Sequence, residues 1–290
     1  MGINMKDVLS HLEKEAINLI REVVTTNKIE DIYCFYSMGK DSAVLLRLIE
    51  KAFWPEKIPI TFLHIDTGYK FKEMYEFRDK ISKKINLKIY RHPAQLNPYK
   101  CGREYTDVMK TQALKNAIKE YGIKIAFGGS RREEEKSRAK ERMVSIRDKN
   151  NRWNPRIQNK EVNYLWNTYC TEDTSLRVFP LSNWTEIDIW EYIKRERLEV
   201  VPLYFSHFRN VEKKSGQYFA TQDENRGELK RIRFRTLGCY PLTAGIESEA
   251  CDLDSIINEL KSTRYTERIG RIIDTDTEGS MEIKKCEGYF

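Results

Sequence analysis

The sequence predicts an α/β protein: a doubly wound parallel sheet with an extended C-terminal region. Three observations predict it. Short apolar runs alternate with segments of helical periodicity over about the first 130 residues. A polar turn containing a glycine joins the first such run to the next helix, and a Gly-Gly pair closes the fourth run. Strands separated by helices need crossover connections, which give a parallel sheet with helices on both faces.

Residues 8–24 carry Leu9, Leu12, Ala16, Ile17, Ile20, Val23 and Val24 at helical spacing. Residues 32–36 read as a strand, and the helix after it has Val44, Leu45, Leu48 and Ile49 on one face. A second strand is predicted over 60–65, a helix over 70–85, and a third strand over 87–90. The next helix spans 106–121 and stops at Gly122, and the fourth strand, 123–127, ends in Gly128-Gly129. A charged stretch without clear period then runs to about residue 170. After the apolar run 176–181, Thr185 marks a helix start, with Asp188 in the capping-box position and Ile189, Trp190 and Ile193 on the apolar face. From about residue 206 the chain is basic, turn-rich and short of periodicity. The expected division is therefore an α/β domain over 1–205 and a basic region over 206–290 without an independent core.

Hydrophobic residues make up 40% and charged residues 33% of the 290, which suits a globular protein with a polar surface. No apolar run reaches the ~20 residues that span a bilayer, and residues 1–7 lack a secretory-type apolar stretch. The expectation is a cytoplasmic protein with no membrane association. The six cysteines are scattered singly, with no CxxC pair, so neither a zinc site nor a dithiol redox motif is expected. The net charge of +7 is unevenly spread: residues 131–156 hold ten Lys/Arg against five Asp/Glu, and 226–235 hold five against one. Only Trp153 and Phe234 interleave with these runs, too few aromatics for base stacking. No nucleic-acid partner is expected. Small polyanions such as nucleotide phosphates or sulfate fit better.

Ser37-Met38-Gly39-Lys40-Asp41-Ser42 lies between a strand and a helix, where a parallel sheet presents its ligand edge. Unsatisfied N–H groups and the helix dipole favour an anion there. Gly39 permits close backbone approach, Lys40 adds a charge, and Ser37 and Ser42 offer hydroxyls. Asp41 suits a helix cap or a contact through Mg2+. The spacing is not that of a Walker A loop. Taken alone, the six residues also fit an ordinary strand–turn–helix with a polar cap, and the Asp-Thr-Gly after His64 fits a common strand-end turn.

The loop resembles the SxGKDS pyrophosphate-binding loop of the N-type ATP pyrophosphatases, the superfamily of phosphoadenylyl-sulfate (PAPS) reductases. Further segments resemble its sulfate adenylyltransferase small-subunit family: His64-Ile65-Asp66-Thr67-Gly68, Phe127-Gly128-Gly129, the charged run from Arg131 to Arg142, Val201-Pro202-Leu203-Tyr204 and Arg233-Phe234-Arg235-Thr236-Leu237-Gly238-Cys239. The resemblance extends to Gly279-Ser280-Met281-Glu282 and Gly288-Tyr289-Phe290, so it covers nearly the whole chain. Residues 92–105 and 154–173 depart from the family pattern.

The resemblance implies an adenine-nucleotide α-hydrolase fold and conversion of ATP and sulfate to adenylyl sulfate and pyrophosphate, with Mg2+. It implies that Ser37, Gly39, Lys40, Asp41 and Ser42 hold phosphate, that His64 and Asp66 serve the adenosine pocket, and that Gly128 and Gly129 let the chain approach ribose or phosphate. Lys40, Arg131 and Arg132 are the expected catalytic residues, the two arginines on sulfate or the α-phosphate, with Arg233 and Arg235 as further candidates. The rest of the charged run is expected to form an exposed helix surface or a partner contact. A GTPase large subunit is the implied partner, with the C-terminal region as rim and docking surface. The alternatives are a paralogue that adenylylates another substrate, and a PAPS or adenylyl-sulfate reductase-like enzyme, which would need a nucleophilic cysteine in a Glu-Cys-Gly motif. The tail instead reads Lys285-Cys286-Glu287-Gly288.

Overall fold

In the computed structural model, residues 5–161, 166–214, 216–221 and 226–262 are described; Cys286 and the two terminal family segments lie outside them. The chain opens with helix α1 (Met5–Thr26), whose buried stripe of Leu9, Leu12, Ala16, Leu19, Ile20 and Val23 follows the helical period. Strand β1 (Ile32–Phe35) leads through the polar loop into α2 (Lys40–Phe53), then β2 (Thr61–Ile65), α3 (Lys72–Ile81) and β3 (Leu87–Tyr90). Helix α4 (Pro98–Thr106) runs on through a π-helical segment, Asp107–Gln112, into α5 (Ala113–Glu120), and β4 (Ile125–Phe127) follows.

The helix thus begins eight residues before the predicted 106. Pro98 suits a first helical position, where its missing N–H costs nothing, and the Asn97 side chain accepts the Tyr99 amide at 2.9 Å. The polar composition of 98–105 masks this start.

Strand β5 (Val144–Arg147) falls within the charged stretch that shows no period in sequence. It pairs antiparallel with β6 (Ser175–Val178), Ile146 opposite Leu176. The sheet order is β3-β2-β1-β4-β6-β5, parallel except for β5. Successive strand residues alternate between faces. Ile32, Cys34, Phe62, Ile125 and Phe127 join the core that α1, α2 and α3 fill, together with α6 (Glu186–Glu196). Tyr33, Leu63 and Ala126 face a smaller core that Ala117 and Ile118 of α5 complete. Helices therefore cover both faces, as the alternation predicts. Helix α6 carries the predicted capping box of Thr185 and Asp188, and Trp184 and Trp190 are fully buried packing residues.

The C-terminal region is more regular than its sequence suggests. Strands β7 (His207–Lys214), β8 (Gln217–Ala220), β9 (Glu228–Arg233) and β10 (Ala244–Glu247) close a small antiparallel barrel in the order β10-β8-β7-β9. Few of its positions point inward, so the sequence shows little apolar period. Val211, Ala220, Ile232 and Phe234 join the larger core of the sheet. Helix α7 (Leu253–Ser262) packs on α6 and adds Ile256, Ile257 and Leu260 to that core. Among the described residues no helix is long and apolar enough to cross a membrane.

Candidate active site

The chain leaves β1 toward β2 on one side and returns to β4 on the other, so the strand order reverses between β1 and β4. In open α/β sheets, the crevice outside the carboxyl ends of two such strands is where ligands bind. A cavity of about 310 Å³ lies there, within the range of small-molecule sites. It is lined by Ser37, Gly39, Lys40, Asp41 and Ser42 after β1, by His64 of β2, and by Gly128, Gly129 and Ser130 after β4.

The loop is held tightly. The Ser37 amide donates to Ser42 Oγ at 3.1 Å, and the two serine hydroxyls lie 2.8 Å apart. Met38 has φ of 66°, a left-handed conformation uncommon outside glycine, and its side chain is buried in the core. Gly39 caps α2 without a side chain. The Lys40 amide donates to the Tyr204 hydroxyl at 2.9 Å. Lys40 is only 1% exposed, with Nζ 3.3 Å from Asp41 Oδ2. Gly129 closes the other side. A Cβ there would lie 3.3 Å from the carbonyl carbon and Cβ of Asp41, so only glycine allows the two strand-end loops to approach this closely without a shift.

His64 Nδ1 lies 2.9 Å from the Tyr36 carbonyl. A carbonyl only accepts, so Nδ1 carries the proton. Burial, then the nearby Lys70 charge, lowers the His64 pKa to about 4. At neutral pH the ring is uncharged and its Nε2 is an acceptor.

Asp66 does not line the cavity. Its carboxylate accepts from the Gly68 amide at 2.8 Å, from the Tyr75 hydroxyl at 3.1 Å, and from Arg78 and Arg91. Burial pushes its pKa up, but the hydrogen bonds from Arg91 and Gly68 outweigh this and hold it below the usual carboxylate range. The geometry makes Asp66 the anchor of the turn that presents Thr67, which does line the cavity.

Arg131 and Arg132 also stand outside the lining. Arg131 is fully buried, with Nε 2.7 Å from Asp41 Oδ1 and Nη1 3.2 Å from Glu133 Oε2. Arg132 is held by Asn183, by Glu161 at 2.7 Å, and by the Glu141 carbonyl. Glu133 Oε2 in turn accepts the Glu186 amide at 2.6 Å, and Glu186 pairs with Arg235 at 2.6 Å. A chain of ion pairs joined by one backbone hydrogen bond thus runs from the phosphate loop to the start of the loop 236–243. Arg233 is buried against Glu259 of α7. Neither Arg233 nor Arg235 lines the cavity.

The charged run is not an exposed helix surface. It forms two 3-10 turns, and Arg131, Arg138 and Glu141 are buried in it. A run of alternating charge reads as a solvated face in sequence, and only tertiary pairing turns it inward.

Several lining residues carry no motif signal. Thr106, Asp107, Lys110, Thr111 and Leu114 form one wall from the π-helical segment and its flanks. Their spacing of one, three and four residues is the single available clue, and it also describes a solvent face. Lys70, Glu134, Arg138, Tyr204 and the loop residues Thr236, Leu237, Gly238, Cys239, Leu242 and Thr243 also line it, with Phe35, Tyr36, Leu63 and Ile65 from the strand ends. Cys239 Sγ lies 3.3 Å from Thr67 Oγ1.

The phosphoadenosine phosphosulfate reductase domain model matches residues 31–245. Sulfate adenylyltransferase subunit 2 of Shewanella amazonensis is 50% identical over 300 residues, covering 98% of this chain and 99% of its own. The Proteus mirabilis protein of the same name is 49% identical over 296 residues, covering 97% of each. Among solved structures, a PAPS reductase of Candida auris in its phosphate complex is 17% identical with a TM-score of 0.47, covering 70% of this chain and 92% of that one. The FMN adenylyltransferase of Candida glabrata in complex with ATP is 18% identical with a TM-score of 0.48, covering 94% and 91%.

Proposed function

The chain belongs to the phosphoadenosine phosphosulfate reductase domain family and, within it, to the sulfate adenylyltransferase subunit 2 proteins, and on that footing we propose that it transfers the adenylyl group of ATP to sulfate. The observation that carries this reading is the buried Lys40 at the N-terminus of α2, lining a cavity at the strand-order reversal together with Ser37, Gly39, Asp41 and Ser42. Donors fixed in that position suit a pyrophosphate leaving group.

In the proposed reaction a sulfate oxygen forms a bond to the α-phosphorus of ATP. The bond from that phosphorus to the bridging oxygen of pyrophosphate breaks, and its electron pair leaves with pyrophosphate. No proton transfer is needed, which agrees with a site whose one lining histidine, His64, is neutral. The phosphate loop and Lys40 meet the charge that develops on the leaving group without having to reorganise. His64 Nε2 offers an acceptor to the nucleoside, beside the apolar walls of Leu63, Ile65 and Leu114. Arg131 works through Asp41: it fixes the carboxylate, and so the first turn of α2, as a positioning residue.

Mg2+ is proposed to arrive as the ATP complex. Both oxygens of Asp41 are engaged, by Arg131 and Lys40. Among the described residues no group of three or more His, Cys, Asp or Glu side chains stands where it could hold a metal ion. The chain therefore suits an ion held chiefly by phosphates and water, with Asp41, Asp107 and Glu134 the carboxylates that line the cavity.

The relatives' designation as subunit 2 implies a partner subunit, which we propose is a GTP-hydrolysing large subunit. Forming a phosphoric–sulfuric anhydride from ATP is strongly uphill, and GTP hydrolysis would supply the drive. Residues 206–290 are proposed as rim and docking surface, and the cytoplasm as the location. The test is exchange of labelled pyrophosphate into ATP. Exchange that requires sulfate supports the reading, and exchange that is indifferent to sulfate refutes it.

A further inference from the structure

In-line displacement needs donors on both sides of the α-phosphorus. The phosphate loop and Lys40 serve the leaving group, so the acceptor needs a set of its own. Four cations line the cavity among the described residues: Lys40, Lys70, Lys110 and Arg138. Arg138 differs from the others. It is 7% exposed, yet its Nε and Nη1 are buried without a hydrogen bond. Nε lies 3.5 Å from Glu134 Oε2 and 3.2 Å from Glu135 Oε1, near enough to neutralise charge but not aligned as a hydrogen bond. Buried donors left unmade are costly unless a ligand supplies acceptors. Thr106 Oγ1, on another wall of the same cavity, is also buried without a partner. It sits where α4 passes into the π-helical segment, a distortion frequent at functional sites.

Given that sulfate is the acceptor in the reaction proposed above, we infer that Arg138, assisted by Thr106, binds it. A guanidinium fork matches two oxygens of a tetrahedral oxyanion better than an ammonium does. Sulfate has four acceptor oxygens and no proton to donate at neutral pH, so it satisfies both groups while asking nothing of them in return. Glu134 and Glu135 balance its charge from the Nε side without a hydrogen bond, so Nε and Nη1 both remain as donors for the ligand. Arg131 and Arg132, the arginines singled out by their place in the sequence, have partners of their own and lie outside the lining.

The test compares Arg138→Lys, Arg138→Met and Thr106→Val with the wild type, each with the partner subunit. Three quantities are read: the sulfate KM in pyrophosphate exchange, the Kd for ATP by calorimetry, and thermal melting. Loss of one charge-assisted fork is expected to raise the sulfate KM about ten- to hundredfold in Arg138→Lys, and further in Arg138→Met. Thr106→Val is expected to raise it about three- to tenfold. The Kd for ATP should stay within about twofold throughout. Should Arg138→Met fail to fold, Arg138→Lys and Thr106→Val decide. An unchanged sulfate KM in Arg138→Lys, or an ATP affinity that falls in step with activity, overturns the assignment while leaving adenylyl transfer to sulfate in place. A wild type that shows no sulfate dependence overturns that reaction, and the role of Arg138 falls with it.

Discussion

Replacing Lys40 by methionine separates chemistry from folding. Methionine keeps an unbranched apolar stem in a position that is only 1% exposed, so packing is nearly conserved. The ammonium lies 3.3 Å from Asp41 Oδ2, while Arg131 Nε holds the other oxygen of that carboxylate at 2.7 Å. Losing the lysine therefore leaves Asp41 paired, and relieves the burial of one charge. The expected change in folding stability is below about 1.5 kcal/mol, since Asp41 keeps its Arg131 partner. Catalysis should respond differently. A preorganised donor aimed at developing charge contributes about 2.7–4 kcal/mol, or about a hundred- to a thousandfold in kcat. The assay is adenylyl sulfate formation with the partner subunit, alongside urea unfolding of the same preparation. Normal pyrophosphate release by Lys40→Met would remove the loop from the mechanism. Loss of activity that only tracks loss of folded protein would show the lysine to be structural.

Arg131→Met is expected to do the reverse of Lys40→Met at the level of folding. It removes the fully buried guanidinium from Asp41, which keeps Lys40, and from the half-exposed Glu133, which keeps the Glu186 amide, at a cost of about 1.5–3 kcal/mol in unfolding free energy, and a melting curve like the wild type's would show that Arg131 does not position the loop. His64 gives a pH signature. Its folded pKa, about 4, lies below the ordinary 6.5, so the unfolded chain binds the extra proton first and stability falls as pH drops from about 6.5 to about 4. The loss is on the order of 3 kcal/mol and is complete below the folded pKa. His64→Gln should flatten that part of the urea-midpoint profile, and an identical slope in both proteins would contradict a buried neutral ring. The chain alone should form little adenylyl sulfate, with a steep rise when the GTPase partner and GTP are added; full activity of the isolated chain, unaffected by GTP, would argue for a stand-alone enzyme.

The parts of the fold visible in sequence are those whose signals are local. β1, the phosphate loop and α2 are adjacent in the chain, and β2 and β4 are short, mostly apolar runs bounded by turn residues, as buried parallel strands should be. β5 was hidden because its buried side chains include Ser145 and Arg147, the latter satisfied by Glu141 at 2.6 Å. That pairing is invisible until the chain folds back on itself. The barrel was hidden because β7 and β9 bury few of their residues, and the apolar Phe208 and Leu229 are exposed. At the site, the residues within one loop were readable. The wall from Thr106 to Leu114 and the inward turn of Arg138 depend on contacts distant in sequence. For the same reason, Asp66 and Arg131 look from sequence like ligand contacts, whereas their partners make them supports for the residues beside them.

The most direct measurement follows the label in ATP. In the proposed reaction the α-phosphorus is attacked and pyrophosphate leaves toward Lys40. With sulfate, the partner subunit and [α-32P]ATP, the label should appear in adenylyl sulfate, and with [γ-32P]ATP it should appear in pyrophosphate. Release of the γ-label as inorganic phosphate, with the α-label retained in a nucleoside diphosphate, would place the chemistry at the other end of the triphosphate and contradict the account.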